Sequence, residues 1–207
     1  VIYNGGAQNV LAENYSNLTI RGSGVKTASG NINVSNELVI RNGSTFDIAA
    51  TTTTVTGTTY VNSSGTLSIS TGTFDANGTF NANGTPVGDV TFTGAGSLEL
   101  GSTVTSLGNY TGSNSTILFN GSSAQTINAG SGFTVDNLTV NNASGVTLNA
   151  DVTVNSTLTL TSGDIISTST NKLSLKGSVS GGSSSSHISG PVDFIADATN
   201  ECSIPVG

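Results

Sequence analysis

Apolar residues recur along this chain in short alternating pairs, and the pairs themselves recur at a six-residue beat. The pattern is plainest in VTLNADVTVNSTLTL, where Val146/Leu148, Val152/Val154 and Leu158/Leu160 each flank one polar residue and start six positions apart. Successive side chains of a strand point to opposite faces, so each pair predicts a short strand with two inward residues and one outward. Six residues are too few for ordinary hairpin arms. They suit successive faces of a coil, with Asn149-Ala150 and Asn155-Ser156 near the corners. Three faces with their corners then take roughly twenty residues, which gives about nine or ten coils stacked about 4.8 Å apart.

A longer repeat overlies this beat. YNGGAQNVLAENYSNLTI, from Tyr3, returns from Phe119 to Val140 as FNGSSAQTINAGSGFTVDNLTV, and the sequels agree. Gly24-Val25, Ile32-Asn33-Val34 and Leu38-Val39-Ile40 answer to Gly145-Val146, Val152-Thr153-Val154 and Leu158-Thr159-Leu160. The predicted fold is an all-β parallel β-helix, a β-solenoid, whose handedness the pattern leaves open. Residues 1–180 form the stack with its internal duplication, 181–191 a Gly/Ser-rich loop, and 192–207 terminal strands or the start of a following β-domain. A sandwich of antiparallel strands is the structural competitor, because Asn-Gly turns and short alternating strands suit it too.

Between the copies, Gly72 to Asn77 (GTFDAN) and Gly78 to Asn83 (GTFNAN) set Phe74 and Phe80 six apart in matching contexts. Asn77-Gly78 and Asn83-Gly84 read as corners, since both residue types tolerate positive φ. Pro86 fits an edge or turn. The run Thr51 to Thr56, in which Val55 is the one apolar residue, reads equally as a loop or a Thr-rich strand. Residues Val192 to Phe194 and Ile204 to Val206 are apolar enough for further strands.

Composition narrows the chemistry. Of 207 residues only 8% are charged and 34% hydrophobic, with 27 Gly and no Met or Trp, so order must come from paired backbone and small apolar contacts. The net charge of −7 comes from 12 acidic and 5 basic residues, and Arg21, Lys26, Arg41, Lys172 and Lys176 form no run that would follow a phosphate backbone, which argues against a nucleic-acid partner. No stretch approaches a membrane-spanning segment. Val1 follows neither a Met nor a signal peptide, which points to a processed or truncated product. A lone Cys202 excludes an internal disulfide and reads as a small buried hydrophobe.

No catalytic, cofactor-binding or metal-binding residues are assigned. The carboxylates, among them Glu13, Asp47, Asp75, Asp89, Asp136 and Asp164, are scattered through strand and corner text. Asp75 and Asp89 could meet on neighbouring coils, as a glycosidase pair must, but the favoured reading of both is as surface residues that confer solubility. His187 lacks a second His, Cys202 is the single thiol, and the Gly/Asp nonapeptide of calcium-binding β-rolls is absent, so neither zinc nor calcium is expected. There is no G-x-S-x-G elbow and no phosphate loop. Asn-x-Ser/Thr triplets, including Asn14, Asn17, Asn33, Asn42, Asn62, Asn77, Asn109, Asn120, Asn137 and Asn155, have a structural reading as coil-to-coil ladders. Phe74, Phe80 and Phe92 read as inward packing.

The phrases YNGGAQNV, YSNLTIRGSGVKT and VDNLTVNNASGVTL resemble the repeat text of large secreted or cell-surface β-helix proteins of Bacteroidetes-type bacteria. KLSLKGSVSGGSSSSHISGPV, followed by SIPVG, resembles the passage that closes a helical section before another β-domain in such proteins. The resemblance implies export, often guided by a C-terminal sorting domain that this sequence lacks, and adhesive or structural roles at the surface. The expected function is therefore an extracellular structural or adhesive module, not an enzyme, secreted or held at the cell surface. Its expected partners are surface or matrix components, glycans among them, with axial contacts between copies as in a filament. Two alternatives are a β-helix that binds or cleaves polysaccharide, and an ice-binding solenoid using Thr91, Thr93, Thr157, Thr159 and Thr161. Neither end offers an amphipathic cap, so the chain reads as a segment of a longer surface protein or as a fibre subunit.

Overall fold

The computed structural model describes residues 1–129 and 132–195, and they form an all-β parallel solenoid of about nine turns. Every pairing between its strands is parallel, which excludes the antiparallel sandwich. Each coil contributes to three faces. The six-residue beat is the passage from one face to the next.

Face one carries two inward columns that run the length of the stack. Ile32, Thr53, Phe74, Leu98, Ile117, Leu138 and Leu158 pair in succession, and beside them run Val34, Val55, Ala76, Leu100, Phe119, Val140 and Leu160. All are buried. Face two begins with Leu18, Leu38, Thr59, Phe80 and Val104. It resumes at Gln125–Ile127, tied back by Leu107 N donating to Asn128 O at 3.1 Å, and continues through Val146–Leu148 and Ile165–Ile166 to Ile188–Ser189. Face three stacks Lys26, Phe46, Leu67, Val90 and Tyr110, then passes by an edge-on ring contact of 5.1 Å to Phe133, and on to Val152, Leu173 and Val192.

Burying the same few columns coil after coil is what lets a chain so poor in large side chains hold together. Corners must be thin for the coils to approach. A Cβ on Gly57 would lie 1.7 Å from Asn36 O, and one on Gly163 would lie 1.7 Å from Asn142 O. Only glycine fits between those coils.

The duplicated text folds into the same local unit but not in the same place. Strands Asn14–Ile20 and Ile32–Ile40 bend from face one to face two, with a register shift between Tyr15 and Asn17. Their counterparts Phe133–Asn141 and Val152–Ser162 carry the same shift between Val135 and Asn137, yet bend from face three to face one. The second copy is therefore one face out of phase with the first. The loop text agrees: Gly5 N donates to Gln8 Oε1 at 3.1 Å, and Gly121 N donates to Gln125 Oε1 at 2.9 Å.

The first full coil, residues 14–28, replaces aliphatic positions with long polar-tipped side chains. Tyr15 occupies the column of Val34 and gives its hydroxyl proton to Leu11 O at 2.9 Å. Lys26, fully buried in the column of Phe46, donates to Gly5 O at 3.0 Å and Ser23 O at 2.7 Å, and desolvation lowers its pKa. Tyr3, whose hydroxyl lies 3.1 Å from that of Tyr15, packs against the core at this end, and the strand Gln8–Val10 pairs outside Lys26 on face three.

The Thr-rich run contains the strand Thr52–Val55 with Thr53 and Val55 inward. Beyond Ser178–Gly181, the Gly/Ser run turns through mutual backbone bonds between Ser183 and Ser186, and Ile188–Ser189 rejoins the stack. Val192–Phe194 is a strand paired with Leu173–Leu175. Cys202 and the segment 204–206 lie outside the described residues.

Candidate functional site

The outward side of face one carries regular columns of polar side chains. Thr52, Thr73, Ser97, Thr116, Asn137, Thr157 and Ser178 pair in succession along it, an unbroken column of small, neutral hydrogen-bonding side chains. Strand alternation places the column there, because each residue precedes an inward one. At about 4.8 Å per coil it extends about 29 Å along the axis.

A second column runs beside it through Asn14, Asn33, Thr54, Asp75, Glu99, Leu118, Thr139, Thr159 and Ser180. It opens on an amide ladder, in which Asn33 Nδ2 donates to Asn14 Oδ1 at 2.9 Å, with Asn36 Nδ2 to Asn17 Oδ1 at 2.7 Å around the bend. At this end lies a half-open pocket of about 270 Å³ lined by Asn14, Tyr15, Ser16, Asn33, Val34, Ser35 and Thr56. At its middle Asp75 and Glu99 stand directly opposite each other on adjacent coils. Burial, and then the charge of Asp75, raise the pKa of Glu99. Asn77 Nδ2 donates to Asp75 Oδ2 at 2.9 Å, while Asn120 Nδ2 stands 3.5 Å from Glu99 Oε2. The surface thus offers rows of hydroxyl and amide groups that both donate and accept, around two carboxylates that accept.

Asp75 and Asp89 do not meet. Asp75 lies on face one, whereas Asp89 lies on face three, beside Thr66 and Asn109, whose Nδ2 donates to it at 2.9 Å. The true neighbour, Glu99, was hidden because the connection through Pro86 lengthens its coil and breaks the beat. Other carboxylates serve local structure. Asp47 accepts from Ala49 N at 3.0 Å, and Asp136 from Asn155 Nδ2 at 3.2 Å and from Asn114 N. Asp164 accepts from His187 N at 3.0 Å, and its Oδ1 also lies 3.0 Å from His187 Nδ1.

The threonines nominated for an ice-binding array do not share a face. Thr91 is outward on face three and bonded to Thr111, while Thr157 and Thr159 are outward on face one. Phe74, Phe80 and Phe92 are buried, as expected of core residues, with Phe74 and Phe80 packed edge to face at 6.3 Å. Among the described residues no three His, Cys, Asp or Glu side chains are grouped to hold a metal ion, and no helix is long and apolar enough to cross a membrane.

Comparison with protein-family models, curated proteins and solved structures finds no match to this chain.

Proposed function

We propose that this chain is a structural and adhesive module of a secreted or cell-surface protein. The observation that carries the reading is face one, where a stiff backbone lattice holds a column of identically spaced polar side chains from Thr52 to Ser178. Parallel coils with filled inward columns give a rod that resists local opening, and the outward columns give it a long, repetitive contact surface. The likeness of its repeat text to surface β-helix proteins of Bacteroidetes-type bacteria supports the same reading. Deleting this segment from the protein that carries it, in its native cell, tests the proposal. Loss of surface attachment or assembly is expected; unchanged attachment and assembly would contradict it.

A second reading, polysaccharide binding along face one, draws on the mixed content of the outward columns. Sugar hydroxyls pair with Thr, Ser and Asn groups and with carboxylate acceptors such as Asp75 and Glu99. Ice binding is a weaker alternative, because Asp75, Glu99 and Leu118 interrupt the hydroxyls of the second column. A glycan array together with a thermal-hysteresis assay separates the two. Retention of extended glycans, lost when Thr73, Ser97 and Thr116 become Lys, is expected for polysaccharide binding; no retention across a broad panel would remove it.

A further inference from the structure

The chain contains five Asn-Gly dipeptides: Asn4-Gly5, Asn42-Gly43, Asn77-Gly78, Asn83-Gly84 and Asn120-Gly121. The bond is chemically weak in one respect. Glycine has no side chain to shield its amide nitrogen, which can attack the preceding Asn carbonyl carbon Cγ when both groups are free to turn toward each other.

Four of the five are held against that attack. Gly5 N donates to Gln8 Oε1 at 3.1 Å, Gly43 N to Ser63 O at 3.1 Å, and Gly121 N to Gln125 Oε1 at 2.9 Å. At the remaining one the Asn77 side-chain amide, the group that must turn to be attacked, is tied to Asp75 Oδ2 at 2.9 Å. Asn83-Gly84 is also closely packed, with a Cβ on Gly84 lying 2.6 Å from Asn62 Cβ, but its reacting groups are not tied. Asn83 is exposed, its backbone N–H donates to Asn81 Oδ1 at 2.9 Å, and neither its side-chain amide nor the Gly84 N–H has a partner among the described residues.

We propose that Asn83 is the site of spontaneous deamidation in the folded protein. The Gly84 nitrogen loses its proton and forms a bond to Asn83 Cγ, the Cγ–N bond to the side-chain amide breaks, and ammonia leaves with that proton. The five-membered imide then takes up water at one of its two carbonyls. Opening at one gives aspartate at position 83, and opening at the other gives isoaspartate, in which the chain runs through the side-chain carbon. Either product adds a negative charge to the connection between Phe80–Asn81 on face two and Asp89–Phe92 on face three.

Peptide mapping by mass spectrometry tests this on folded protein held at mildly alkaline pH, with a denatured sample in parallel. In the folded sample conversion is expected first at Asn83. The four held sites, which must open before they react, should lag more than about tenfold. In the denatured sample the five should convert at comparable rates, and Asn83→Gln should remove the fast phase from the folded protein while leaving conversion at the other four sites unchanged. Faster conversion at another Asn-Gly pair in the folded protein, or equal rates at all five, would overturn the assignment.

Discussion

Leu38 and Leu158 hold the same place in the duplicated text but lie on different faces of the solenoid. Leu38 stacks between Leu18 and Thr59 on face two, whereas Leu158 stacks on Leu138 in the face-one column that reaches back to Ile32. The repeated unit is therefore a bent strand with its flanking corners, not a whole number of coils. Inward positions on all three faces ask for the same small set of β-branched and aliphatic residues, so the unit fits whichever face it reaches.

Two inward hydroxyls stand where the columns call for apolar groups. Thr53 Oγ1 and Thr59 Oγ1 are buried without hydrogen-bond partners, between Ile32 and Phe74 and between Leu38 and Phe80. Thr53→Val and Thr59→Val keep the volume and remove the unpaired group. Each is expected to stabilise the fold by about 1 kcal/mol, read as a raised denaturation midpoint with an unchanged slope.

That anomaly also explains what the sequence hid. Alternation was legible wherever both inward residues are apolar, as in Val146 to Leu160, and it carried the coil count and the parallel stacking. At Thr51 to Thr56 an inward Thr53 erased the contrast between in and out, so the strand could not be told from a loop. The carboxylate pair was lost for a different reason. Asp75 and Glu99 are neighbours only because the strand register crosses the lengthened connection around Pro86, and nothing in the local text reports that length as one coil.

Gly57 tests how closely the coils must approach at their corners. A methyl group there would meet Asn36 O at 1.7 Å, a backbone atom that cannot move without parting two coils. Gly57→Ala is expected to cost about 3 kcal/mol, measured by denaturant unfolding. Gly43→Ala is a useful contrast in space, since nothing lies near its Cβ, although its positive φ of 67° still disfavours the change.

Glu99 should give the fold a pH dependence. Its folded pKa is raised above 4.5, so just above that pH the folded chain keeps a proton that the unfolded chain has lost. Stability therefore falls as pH rises through the window between the unfolded and the raised folded value, and stays reduced above it. Glu99→Gln should abolish this fall, and Asp75→Asn should shrink it, in unfolding midpoints measured across the window.

Lys26 predicts the opposite slope at alkaline pH. Desolvation lowers its folded pKa below 10.5, so between the folded and unfolded values the unfolded chain binds the extra proton and stability rises with pH. The difference in stability between the wild type and Lys26→Met should show that rise. A difference that is flat across the window would count against a desolvated amine in the first coil.

The column from Thr52 to Ser178 is a ruler for the parallel stack. Nitroxide labels placed at position 52 and, in turn, at positions 116, 137, 157 and 178 should show separations that lengthen by about 4.8 Å per coil, from about 14 Å to about 29 Å, when measured by pulsed dipolar spectroscopy on the folded protein. That even lengthening is what a parallel solenoid with this register requires. Separations that fail to increase steadily with coil number, as strands folded back on one another would give, would rule out the parallel solenoid.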